Sequence, residues 1–129
     1  MSVDTKEAEA EVIDIQIVAS FIFILTLIVS IFLNINERNR LLYNKPFLTN
    51  EQADAILKTN RFVILALFFV FFSLALRDKE IDEIKNLDLT SDNLEIIVSI
   101  LAIIGGLIVL YDVYNFGEIT PSVYANPGI

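Results

Sequence analysis

The sequence predicts an all-α fold: a small integral membrane protein with three transmembrane helices. Three observations carry that reading. The stretch Phe62–Leu76 is fifteen residues long, apolar except for Ser73, and bounded by Arg61 and Arg77. Two similar runs, Ile17–Leu33 and Ile96–Tyr111, flank it in the chain. Hydrophobic residues make up 55% of 129, which leaves too little polar surface to clothe a soluble domain of this size. A buried helix in a water-soluble protein keeps a polar stripe, and Phe62–Leu76 has none. The runs fall near or just under the roughly 17–25 residues of a spanning helix.

Residues 1–129 read as a single membrane domain. Helix 1 is expected over about 5–40, spanning 17–33. The tail before it is acidic, with Lys6 among Asp4, Glu7, Glu9, Glu11 and Asp14. A signal peptide opens with a basic region, so this span is expected to be retained. The tail is rich in helix formers and is expected to extend helix 1 out of the bilayer. After Arg40 comes LLYNKPFLT, where Pro46 lacks a backbone donor and disfavours helix at Lys45. Leu41, Leu42, Tyr43 and Phe47 are apolar for a turn and are assigned to the headgroup zone.

Helix 2 is expected over about 50–86, spanning 60–77. Thr49 followed by Gln52 is a capping-box spacing. The apolar run of fifteen residues covers roughly 22 Å at ~1.5 Å per residue, short of a hydrocarbon core of about 30 Å. Lys58, Arg61 and Arg77 are therefore expected to bury their stems and reach headgroups as interfacial anchors. Ile81, Ile84 and Leu87 recur at threes and predict an amphipathic continuation above the membrane. Thr90 with Asn93 repeats the Thr49–Gln52 pattern and sets a second helix start.

Helix 3 is expected over about 91–115, spanning 95–112, with an irregular tail at 116–129. Ser99, Ala102, Gly105 and Gly106 form a small-residue face, in which Ala102-x-x-x-Gly106 lets another helix approach closely. Packing within the chain is the plainer use of that face, and packing between subunits the sharper one. Gly105–Gly106 is also a place where a bend is permitted.

Three spans put the first turn and the C-terminal tail on one side of the membrane. That side holds five Lys/Arg against five Asp/Glu; the other holds four against twelve, so the whole net charge of −8 lies there. Lys and Arg near span ends favour the first side by five to four, and an acidic N-terminal tail favours export. The expected orientation is N-terminus out and C-terminus in, in a bacterial or viral-encoded cytoplasmic membrane. Tyr43, Tyr111 and Tyr114 then mark the cytoplasmic headgroup level, the work of Trp being unavailable.

The chain has no Cys and no His. Disulfides, Cys/His zinc sites, His bases and His-ligated haem are excluded. Net negative charge opposes nucleic acid as a partner. No nucleophile–base pair or glycine-rich phosphate loop is present, so the chain reads as non-enzymatic with no cofactor. Asp14 and Asp112 are ion-path candidates because an acid within a span is a functional suspect, but both sit at span edges, where a hydrated interfacial carboxylate is the simpler reading. Arg38 or Arg40 is the expected partner of Asp112. The acids Asp78, Glu80, Asp82, Glu83, Asp88 and Asp92 lack the spacing of a calcium-binding loop and read as a solvated face. Ser20, Thr26, Ser30, Ser73 and Ser99 are expected to bond helix backbones or neighbouring helices rather than line a pore.

The expected function is helix packing, as a homo-oligomer or as an accessory subunit of a larger membrane complex. The expected partners are membrane lipid, copies of itself or other membrane subunits. In length, in its three spans and in its N-out orientation the chain resembles the class I phage holins, and that resemblance implies the alternative, a small oligomeric pore. A membrane immunity protein is a third possibility.

Overall fold

A computed structural model describes residues 5–116. Among them the chain forms three α-helices and no strand: α1 (Thr5–Tyr43), α2 (Asn50–Ile84) and α3 (Thr90–Phe116). Each is long and apolar enough to cross a membrane. The tail 117–129 lies outside the described residues.

α1 continues past Arg40 to Tyr43 and stops at Asn44, whose φ of 51° puts it in the left-handed region. Asn tolerates that region better than other non-glycine residues because its short polar side chain bonds locally. The Asn44 amide donates to the Arg40 carbonyl at 3.2 Å, so one carbonyl of the last turn is satisfied. The loop is then held to the helix it leaves. Asn36, 3% exposed, accepts from the amides of Phe47 (2.8 Å) and Leu48 (2.9 Å) through Oδ1. The Phe47 ring stacks on Phe32 at 5.9 Å.

α2 begins with the reciprocal capping box. Gln52 N donates to Thr49 Oγ1 and Thr49 N donates to Gln52 Oε1, both at 3.1 Å. Its far end closes on Asn86, again left-handed at φ 58°. Asn86 N donates to Glu83 O and Leu87 N to Asp82 O, the paired bonds of a Schellman motif with Asn in the glycine position. The start of α3 differs from the expected Thr90–Asn93 box. Leu89 supplies the first helical carbonyl, to Asn93 N at 2.9 Å, and Asp88 Oδ1 accepts from Thr90 N (3.1 Å) and Thr90 Oγ1 (2.8 Å). The helix starts one residue earlier than the letter repeat implies, so the donor at Thr90 faces an acid two residues before it.

α2 is the central element and packs against both neighbours, whereas α1 and α3 hardly touch. Its most apolar stretch is 39% buried, against 17% for α1 and 11% for α3. Two apolar clusters fix the arrangement. Leu33, Ala53, Leu57 and Val113 meet near the first turn. Ala8, Val12, Leu74 and Ile81, with Phe71 against them, join the start of α1 to the end of α2. The two clusters rest on different physics. Leu33 would otherwise face lipid, so its gain is close packing alone. Ile81 lies beyond the apolar run, and removing it from water stabilises by roughly 1.5–3 kcal/mol. Of the three apolar residues expected on the α2 extension only Ile81 is buried; Ile84 and Leu87 are 53% and 51% exposed. A salt bridge from Lys85 to Glu9 closes the same end.

Candidate functional site

The α1–α2 interface brings together two of the hydroxyl residues of the first apolar run, Thr26 and Ser30, with Asn60 of α2. Asn60, 6% exposed, donates through Nδ2 to the Thr26 carbonyl (3.2 Å) and to Ser30 Oγ (3.1 Å). This clamp joins α1 to α2 inside an otherwise apolar contact. Thr26 turns its own hydroxyl to Phe23 O at 2.6 Å, and Ser73 and Ser99 bond the carbonyls four residues back, Phe69 and Glu95. Thr26 and Ser30 are buried between α1 and α2, and Ser20 is exposed. Asn60 shares a helix face with Ala53, Ile56 and Leu57 just before the apolar run, and only the register of α1 against α2 reveals its partners.

The small-residue face of α3 packs against α2 at Gly106. A Cβ built there would lie 3.0 Å from Leu65 Cδ1 and 3.2 Å from Phe68 Cδ2, so the missing side chain is what lets the two helices close. Ser99, Ala102 and Gly105 are half-buried on the same helix, which runs unbroken through Gly105–Gly106.

The anchors divide. Arg77 is exposed at its end of the run, and Tyr43, Tyr111 and Tyr114 are 59%, 62% and 56% exposed. Lys58 bonds Asp54 at 2.8 Å and sits 5.2 Å above the Tyr114 ring, which places the start of α2 level with the end of α3. Tyr111 meets Phe116 edge to face at 6.2 Å. Arg61 departs from expectation: it is 3% exposed and turned into the protein instead of outward to headgroups. The spacing explains it. Leu57, Arg61 and Leu65 are four residues apart on one stripe of α2, and both leucines are buried.

Asp14 and Asp112 are exposed and face away from the helix contacts. Arg40 forks onto Glu37, at 3.0 Å through Nε and 2.5 Å through Nη2, with the Glu37 side chain nearly buried. Glu37, three residues before it on the same helix face, is therefore the acid that Arg40 meets.

At the opposite end the acids do not form one solvated face. Asp92 is 3% exposed and packs beside Asp82, whose carboxyl is pushed up from its ordinary range by the hydrogen bond it shares with Asp92 and then by burial. Asp88 is held below the usual carboxylate range by the Thr90 hydroxyl. Lys85 is raised by its hydrogen bond to Glu9.

No family model, curated protein or solved structure matches the chain.

Proposed function

We propose that this protein is a non-enzymatic membrane subunit that works by helix packing, as a homo-oligomer or as an accessory part of a larger membrane complex. One observation supports this most: Thr26, Ser30 and Asn60 are spent inside the contact between α1 and α2, while the outer faces are largely apolar. Phe21, Leu25 and Ile28 of α1 are 66%, 60% and 54% exposed, and Val98, Leu101 and Ile108 of α3 are 64%, 62% and 63% exposed. Such faces suit acyl chains or other apolar helices. A water-filled pore needs a polar stripe facing its lumen, and the buried hydroxyls are already engaged, Thr26 Oγ1 on the Phe23 carbonyl and Ser30 Oγ on Asn60. In this reading the membrane is a cytoplasmic one, with the acidic end outside.

The test is reconstitution of the purified chain in liposomes with a dye-release and ion-flux record, alongside its mass in detergent. Tight vesicles with a defined oligomer or a copurifying membrane partner are the expected result. Leakage that rises with the fraction of a ring-sized oligomer would replace this reading with the pore.

A further inference from the structure

The elbow between α2 and α3 brings a carboxylate of α2 to two of α3 that lie fourteen and seventeen residues further along the chain. Asp78 of α2 and Asp92 and Glu95 of α3 each offer one oxygen, and these oxygens all lie within 4.8 Å of one another. The buried member is the informative one. Asp92 is 3% exposed, and its Oδ2 is buried with no hydrogen-bond partner. An ionised carboxylate taken out of water requires a compensating charge or a full set of hydrogen bonds. The set is incomplete here: Asp82 shares a hydrogen bond with Asp92, and Oδ2 is left without one. Asp82 adds a fourth carboxyl against Asp92, and Lys85, whose charge is felt at Asp82 and Asp78, is bonded to Glu9.

We infer that Asp78, Asp92 and Glu95 form a binding site for a hard divalent cation, calcium in preference to magnesium. All the donors are carboxylate oxygens, which suit hard cations. Three protein carboxylates on one ion suit calcium, because magnesium keeps several waters and is usually held by only one or two carboxylates. Asp78 is half-buried and Glu95 exposed, which leaves the outer side open to the waters that complete the coordination. A crevice of about 390 Å³ beside Glu95 is lined also by Gln16, Ser91 and Ser99. The fold builds the site through two local devices: Asn86 turns the chain back, and Asp88 starts α3 so that its third residue, Asp92, points at α2.

The rival occupant is a proton shared by Asp82 and Asp92. Calorimetric titration of the full chain in detergent micelles at pH 7 and fixed ionic strength, with calcium chloride and separately with magnesium chloride, decides between them. The expected result is one calcium per chain, with the folded-to-unfolded ratio rising about tenfold when free calcium is about ten times Kd. Asp92→Asn and, at the exposed position, Glu95→Gln should each weaken calcium at least tenfold. Glu95→Gln keeps the test decisive if the buried variant fails to fold. No heat up to about 10 mM calcium, well past weak extracellular sites, overturns the site and leaves the shared proton. Unchanged calcium affinity in Glu95→Gln also overturns it, and tighter magnesium than calcium overturns the choice of ion.

Discussion

Asn60 Nδ2 lies 3.1 Å from Ser30 Oγ and 3.2 Å from the Thr26 carbonyl, across the contact of two helices with little else polar between them. In lipid the alternative to such a bond is an unsatisfied amide in hydrocarbon, yet measured bonds of this kind average only about 0.6 kcal/mol, with an upper range near 1.7. Asn60→Leu should therefore destabilise the α1–α2 contact by about 1 kcal/mol, read as a lower denaturation midpoint in mixed micelles. Ser30→Ala should cost less, because the Thr26 carbonyl still accepts. A double variant that loses no more than Asn60→Leu alone would identify Ser30 and Asn60 as one unit.

Gly106 sets the distance between α2 and α3. Gly106→Ala gains helix propensity of up to ~1 kcal/mol but asks Leu65 and Phe68 to give by a few tenths of an ångström, so the net change should be small. Gly106→Leu has no such relief and should cost roughly 1–3 kcal/mol as an overpacked contact. Thermal unfolding of both variants in one detergent makes the comparison; equal loss in the two would show that the backbone, not the side-chain space, is limiting.

Asn44 and Asn86 end their helices in the left-handed region. Replacing either by Gly should be neutral or slightly stabilising. Ala at the same position should cost about 1 kcal/mol, since an L side chain pays roughly 1–2 kcal/mol there. The ordering Gly ≥ Asn > Ala in melting temperature is the check. The opposite order would mean that the Asn side chains, not the backbone angle, hold the turns.

The pH profile has three parts of known sign. Lys85 is raised by Glu9, so its contribution is full below its unfolded value of about 10.4 and is lost as pH climbs through the folded value. Asp88 is lowered by Thr90, so its contribution is present above about 3.9 and fades as pH drops through the folded value. Asp82 runs the other way. Its raised carboxyl binds a proton more tightly in the folded chain, so stability falls as pH rises from about 3.9 through the raised value. All three groups are solvated, so the amplitudes are small. Asp82→Asn should remove the mildly acidic decline and leave the alkaline one, in melting curves taken across pH at fixed ionic strength.

Much of this fold is legible in the sequence because lipid imposes a coarse rule: fifteen or more apolar residues without a charge must lie in a helix. That rule locates all three helices, and Thr49–Gln52 marks the start of α2. What the sequence conceals is rotation about the helix axes. Arg61 and Arg77 bracket the run symmetrically as text, yet one is buried and the other exposed, since Arg61 shares a stripe with Leu57 and Leu65. The acids 78–95 read as one hydrated run because a linear view cannot see that α3 folds back and buries Asp92 beside α2. The two Asn turns were readable in principle, as Asn after the last apolar turn, next to Lys45-Pro46 in one case.

The Glu9–Lys85 contact has an electrical corollary. Among the described residues, the start of α1 and the α2–α3 elbow that it joins carry eleven Asp/Glu against four Lys/Arg, and the opposite pole carries four against five. Each elementary charge moved through the bilayer is worth about 2.3 kcal/mol per 100 mV. In the proposed spanning arrangement, a membrane voltage would act on this molecule as on a large dipole and favour the orientation with the acidic pole on the positive side.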